Sequence, residues 1–197
     1  VALYEISVQA TKNKEVYEYY TAGVKRDQSK IVFEEAKLML NGSPLRKKFK
    51  LTNNAITHVK TGSYIKALSK EDGKTGDGTN PAGLIVDEYH QHKTTEFLDL
   101  GLGSNTKESL LMIITTAGMD LTYPCYTQEY DYCSKVLDSN IDVENDTYLI
   151  DIMEIDQGDD IGDEENWKKA NPIRMTYPEG ADKIRGEYKI AREQPEH

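Results

Sequence analysis

The strongest chemical signal in the chain is five consecutive residues, Leu84-Ile85-Val86-Asp87-Glu88. An apolar run ending in two acids brings two carboxylates to the carboxyl edge of a sheet, where open α/β folds bind their ligands. The first acid suits Mg2+, held through water beside a nucleotide phosphate. The second suits a base that orients and deprotonates the water attacking a γ-phosphate. The same residues also suit a strand that runs into a solvated turn. A second apolar run, Ile113-Ile114-Thr115-Thr116-Ala117-Gly118, follows the acidic pair by about 28 residues, enough for one helix between them. Its end, in small hydroxyl residues and glycine, suits a strand that senses a γ-phosphate.

A phosphate-binding loop of the form Gly-x-x-x-x-Gly-Lys-Ser/Thr is missing from this pattern. Gly73-Lys74-Thr75 has the right ending, but Leu68 stands where the first glycine belongs. The stretch Gly76-Asp77-Gly78-Thr79-Asn80-Pro81 follows, where a helix would have to begin. Gly101-x-Gly103 fails as well, because no Gly-Lys-Ser/Thr comes after it. His90 and His92 lie close behind the acids, but two ligands do not make a zinc site. His90 fits better as a sensing or structural residue. Gln28, after Lys25-Arg26-Asp27, is a further candidate, although a solvent-facing place at a helix start also accommodates it. Lys66, Lys70 and Lys74 suit phosphates of a nucleotide or of DNA, or simply a basic loop. Cys125 and Cys133, eight residues apart on an expected helix, would stand roughly 12 Å apart along its axis. That is too far for a disulfide, so both thiols are expected reduced.

These side chains need elements to hold them. The spacing of Leu3, Ile6 and Val8-Ala10 predicts a helix, and 15–20 reads as a strand followed by a turn at Gly23. A helix over 27–40 is expected, capped by Asp27 and ended by Asn41-Gly42-Ser43-Pro44. Two short strands, 55–60 and 63–68, split at Thr61-Gly62, and a polar loop over 69–82 follows. Strand 83–88, helix 93–102, strand 110–116 and helix 123–137 come next. Tyr148 to Ile155 reads as a third buried strand, and 180–193 as a last charged helix. Trp167 is expected to be a packing anchor. Apolar strands alternating with helices imply an α/β fold with a mainly parallel sheet covered on both faces.

Composition sets the outer limits. The chain has 197 residues, 38% of them hydrophobic, and a formal net charge of -10. No apolar run nears the ~20 residues of a membrane span, and no signal peptide is expected. The charge is uneven. Residues 1–80 carry +5, whereas residues 136–167 carry -12 and no base at all. The N-terminal part can therefore face an anion such as nucleic acid or nucleotide.

Taken in order, several segments resemble the large subunit of bacteriophage terminases. They are Lys25-Arg26-Asp27-Gln28, Asp77-Gly78-Thr79-Asn80-Pro81, Leu84 to His90, and Ile114-Thr115-Thr116-Ala117-Gly118. Asp159-Asp160-Ile161 and Trp167-Lys168-Lys169-Ala170-Asn171-Pro172 resemble that family's exit from its ATPase domain. The resemblance spans roughly residues 1–175. It implies a P-loop NTPase-like fold of the RecA/ASCE type, incomplete at the N-terminus. The partial ATPase domain would be 1–155, and 156–197 an acidic linker opening the connector toward a nuclease.

Carried over by residue, the resemblance makes Glu88 catalytic, Asp87 the holder of Mg2+ with ATP, and Gln28 a nucleotide-binding residue. Thr115, Thr116, Ala117 and Gly118 become the motif coupling hydrolysis to movement. Arg26 and Arg46 are candidates for an arginine finger without a motif to support them. The implied partners are double-stranded DNA, a portal protein, a small terminase subunit and other copies of the chain in a ring. No membrane is implied, and the site of action is the bacterial host cytoplasm. The phosphate-binding loop would lie just before Val1 and the nuclease after residue 197, so the 197 residues alone are expected to hydrolyse ATP poorly. Two other readings stay open. Asp87-Glu88-Tyr89-His90 also resembles a helicase box, which would make the chain a DNA-dependent ATPase domain of helicase type. A binding or scaffold domain without ATP turnover is the non-enzymatic alternative.

Overall fold

Six strands form one sheet: β1 (Glu18–Gly23), β2 (Phe49–Leu51), β3 (Ile56–His58), β4 (Tyr64–Ser69), β5 (Pro81–Asp87) and β6 (Leu110–Ile114). Their order is β2-β3-β4-β1-β5-β6. The strands β4, β1, β5 and β6 are parallel neighbours, and β2 and β3 join as an antiparallel edge. The structure is a computed structural model that describes residues 1–69 and 78–194. The described chain divides into two compact units, Val1–Asp138 and Ser139–His197.

In the first unit, Ala2–Tyr4, the π-helical Glu5–Gln9 and Ala10–Asn13 run on as one rod, α1. Helix α2 (Arg26–Asn41), helix α3 (Glu96–Leu102), and α4, made of a π-helical Cys125–Tyr130 and Asp131–Leu137, complete it. Alternation along the strands sorts the sheet's side chains to two cores. Tyr19, Ile65 and Ile85 meet Ile6 and Ala10 of α1 and Phe33 and Leu40 of α2. Tyr20, Ala22, Leu84 and Val86 meet Phe97 of α3 and Cys125 of α4. Each large side chain so buried contributes about 1.5–3 kcal/mol. Tyr19 lies opposite Gly83, and a β-carbon at Gly83 would fall 1.9 Å from Tyr19 Cε2. Only glycine lets that ring lie across the neighbouring strand.

The loop leading into β6 is tied to α1. Glu108, with φ of 54°, accepts from Asn13 Nδ2 at 2.9 Å and from Gln9 Nε2. The Tyr17 hydroxyl donates to the Lys107 carbonyl at 2.7 Å. These bonds fix where β6 starts, and so where its far end delivers Thr115.

Several expectations need correction. Gly23 is the last residue of β1 rather than a turn, and a β-carbon there would stand 2.8 Å from the Ser29 nitrogen. Lys25, not Asp27, holds the cap position of α2, and Gln28 Oε1 accepts from the Lys25 N–H at 3.1 Å. Pro81 and Ala82 belong to β5 rather than to a loop, and the three-residue β2 was not anticipated. The run 148–155 is not a strand: Leu149 is 99% exposed. An apolar run becomes a strand only when a neighbour takes up its N–H and C=O groups, and among the described residues the sheet ends at β6. Residues 139–155 fall in the second unit.

That second unit holds α5 (Glu164–Ala170) and α6 (Pro178–Glu193). Trp167 is 5% exposed, its Nε1 donates to the Ile161 carbonyl at 2.7 Å, and its ring packs on Tyr188. It is the anchor expected of it. Arg185 grips Glu164 with two bonds, Nε to Oε1 at 2.8 Å and Nη2 to Oε2 at 2.7 Å. Cys125 and Cys133 are both free thiols.

Candidate functional site

β5 carries its apolar run through the middle of the sheet and stops at Asp87. Glu88 breaks the strand with φ 51° and ψ 48°, a left-handed conformation that costs a non-glycine residue on the order of 1–3 kcal/mol. The Glu88 N–H donates to Asp87 Oδ1 at 2.9 Å, which closes the turn. A short 3-10 turn, Tyr89–Gln91, follows.

β6 ends beside it, with Ile114 in register with Asp87. The two strand ends are wired together. Thr116 Oγ1 donates to Glu88 Oε2 at 3.2 Å, and His90 Nδ1 lies 3.1 Å from the same oxygen. The His90 N–H donates to Thr115 Oγ1 at 3.0 Å, and His90 Nδ1 is also 3.0 Å from that hydroxyl. Thr115 gives its own proton to the Thr116 carbonyl at 3.0 Å. The carboxylate only accepts, so the network is satisfied when His90 carries its proton on Nδ1. Gly118 continues the segment with its backbone against the imidazole. The Tyr126 hydroxyl of α4 accepts from the Gly118 N–H and donates to the Gly118 carbonyl at 3.3 Å.

The expected residues divide as follows. Asp87, Glu88, His90, Thr115, Thr116 and Gly118 come together. Gln28 joins at one remove, since its Nε2 donates to Gln91 Oε1 at 2.9 Å and so ties the start of α2 to the turn behind Glu88. Ala117 is exposed. His92 parts from His90: it is 1% exposed, between Tyr89 and Phe97, with Nε2 at 3.3 Å from the Asp87 carbonyl. Arg46 is spent locally on Asn41 Oδ1 and the Phe49 carbonyl. The Arg26 side chain, Lys70, Gly73-Lys74-Thr75 and Asp77 lie outside what is described. Sequence reasoning missed Tyr126; an aromatic hydroxyl in the first turn of the helix after Gly118 was the available signal.

A family model described as the terminase large subunit, ATPase domain, matches residues 1–135. The chain belongs to that family. The match ends close to the boundary between the two compact units. The chain is 34% identical over 108 residues to Protein YmfN of Escherichia coli K12, a match covering 53% of this chain and 23% of that protein. Its fold matches the crystal structure of the HK97 bacteriophage large terminase with a TM-score of 0.69 and 25% identity, over 96% of this chain and 39% of that one. The chain thus spans well under half the length of either relative. The α/β sheet with its flanking helices is a P-loop NTPase-like fold. Among the described residues no helix is long and apolar enough to cross a membrane.

Proposed function

We propose that this chain is part of an ATP-hydrolysing motor that packages double-stranded viral DNA, with Glu88 as its general base. One observation carries the reading: Glu88 Oε2 is held by both Thr116 and His90, so the residue that would meet the attacking water touches the segment that would report γ-phosphate loss. Asp87 Oδ1 takes the Glu88 N–H, which among the described residues leaves Oδ2 for a hydrated cation, and a hard carboxylate oxygen fits Mg2+ held through water. Bound MgATP would supply the phosphoryl group and its charge neutralisation. Gln28 would brace the Tyr89–Gln91 turn beside the nucleotide. Thr115 to Gly118 would pass a shift at Glu88 on to α4 through Tyr126.

The 197 residues contain no Gly-x-x-x-x-Gly-Lys-Ser/Thr, so the reading requires that loop from elsewhere in a parent protein. Hydrolysis by these residues alone is expected to be weak. Residues 156–197 are read as a linker toward a nuclease domain. Portal protein, small terminase subunit, a ring of copies and the host cytoplasm belong to the same proposal.

The test is DNA-stimulated ATP hydrolysis by the protein extended to its full reading frame, beside Glu88→Gln. A general base contributes about 10²–10⁴-fold, so the variant should lose at least 100-fold in turnover while still binding ATP. Equal activity in the variant removes Glu88 from the chemistry and favours a binding domain.

A further inference from the structure

Residues 36–70 contain eight bases and no Asp or Glu, in a chain where acids outnumber bases 34 to 24. The sheet gathers four of those bases in one place. Lys50 on β2 lies opposite Thr57 on β3, Thr57 opposite Tyr64 on β4, and Lys66 opposite Tyr20 on β1. Opposed residues share a face, as do residues two apart on one strand. Lys50, Tyr64 and Lys66 therefore stand on one side of the β2-β3-β4 edge, and Phe49, Ile56 and Ile65 on the other, where they enter the core. Lys48, whose carbonyl accepts from the Val59 N–H at 2.9 Å, extends the charged side by one more pair. Lys60 follows directly at the turn.

Lys48, Lys50, Lys60 and Lys66 are all exposed, and none has an ion-pair partner among the described residues. Lys66 Nζ sits 4.1 Å over the Tyr64 ring. Among the described residues, the carboxylate on this side, Glu18, is occupied by the Tyr20 hydroxyl at 2.9 Å and the Asn80 N–H. The cations also act on what lies behind them: His58 is pushed below its ordinary pKa by burial first, then by Lys48 and Lys60.

Lysine on an edge strand also deters pairing between molecules. That accounts for Lys50 on β2 but not for Lys66 on β4, two strands further in. We infer that this lysine-bearing sheet face grips the phosphate backbone of double-stranded DNA. The inference rests on the packaging reading. Successive lysines on a strand repeat at about 6.6 Å, and a DNA strand carries a charge every 3.4 Å of axis, so an extended flat patch meets several phosphates at once. Contacts of that kind hold the duplex without reading its sequence.

The experiment titrates the full 197-residue chain against a labelled 30-base-pair duplex of arbitrary sequence, by anisotropy, from 50 to 200 mM NaCl. The variant K48A/K50A/K60A/K66A is expected to bind at least 10-fold more weakly at 100 mM. Its slope of log K against log salt should be shallower by about 3–4, at about 0.9 per lost phosphate contact. The control K12A/K135A/K168A/K183A removes the same charge elsewhere and should bind within about twofold of wild type. Melting temperatures close to wild type show that both variants fold. Equal weakening in both variants, no duplex binding by wild type, or tighter lysine-dependent binding of single-stranded RNA or anionic vesicles overturns the assignment. Glu88→Gln separates the two readings. Lysine-independent DNA binding beside Glu88-dependent ATPase sinks this face alone, whereas intact lysine-dependent binding without Glu88-dependent ATPase sinks the catalytic reading.

Discussion

Gly118 lies against the imidazole of His90: a β-carbon built on the glycine would fall 2.7 Å from His90 Cδ2 and 2.9 Å from His90 Cβ. Because His90 also touches Glu88 and Thr115, any side chain at 118 reaches the carboxylate through the ring. Gly118→Ala should push His90 off both partners. The expected result in the full-length protein is a fall in ATP turnover of at least 10-fold. Crowding of this size costs about 1–3 kcal/mol, which urea denaturation of the chain would show. Unchanged turnover would mean that His90 does not hold Glu88 in place.

Tyr126 grips both the N–H and the carbonyl of Gly118 through one hydroxyl. Tyr126→Phe keeps the ring and removes that grip. Stability should change by about 0.5–1.5 kcal/mol, the ordinary worth of a hydrogen bond. If the 115–118 segment couples hydrolysis to movement, basal ATP turnover should persist in the full-length variant while its stimulation by DNA falls. Equal stimulation in variant and wild type would leave Tyr126 a packing residue.

Gly83 and Tyr19 test the sheet rather than the site. With Tyr19 Cε2 only 1.9 Å from the position of a new β-carbon, Gly83→Ala must displace a fully buried ring. A loss at or above the ~3 kcal/mol end of overpacking costs is expected from urea denaturation. The Tyr19 hydroxyl is buried with no hydrogen-bond partner among the described residues. Tyr19→Phe removes an unpaired polar group and should stabilise the chain by about 1 kcal/mol. A destabilised Tyr19→Phe would contradict that assignment.

What could be read from the sequence follows from which forces are local. β5 and β6 were legible because both faces of each are apolar, and the Asp87-Glu88 ending marks where burial stops. β2 was not, because its three residues alternate Phe49-Lys50-Leu51 and gain strand geometry only from β3. Tyr148 to Ile155 has the composition of a strand, but among the described residues no strand pairs with it. The left-handed turn at Glu88 and the clamp by Tyr126 depend on where the neighbouring strand ends. The position of Tyr126 early in the helix after Gly118 hints at the clamp, but its closure needs the end of β6 in place.

His58 gives the pH dependence. Its Nδ1 lies 2.9 Å from Thr61 Oγ1, which donates onward to the Ile6 carbonyl at 3.0 Å, so the hydroxyl accepts from an Nδ1–H. Burial, and then the charges of Lys48 and Lys60, hold its pKa below the ordinary 6.5. The unfolded chain therefore binds a proton at a higher pH than the folded one. Stability rises with pH in this range: it is complete above about 6.5 and is lost as pH falls from there toward the folded pKa. His58→Gln should flatten that part of the urea-midpoint profile. Lys60→Ala, with one repelling charge removed, should move the His58 titration followed by NMR upward toward 6.5. Duplex bound across the lysine face should move it the same way, because phosphates offset the same charges. A His58 that titrates at or above 6.5 in the free protein would refute both the buried neutral ring and the field from the lysines behind it.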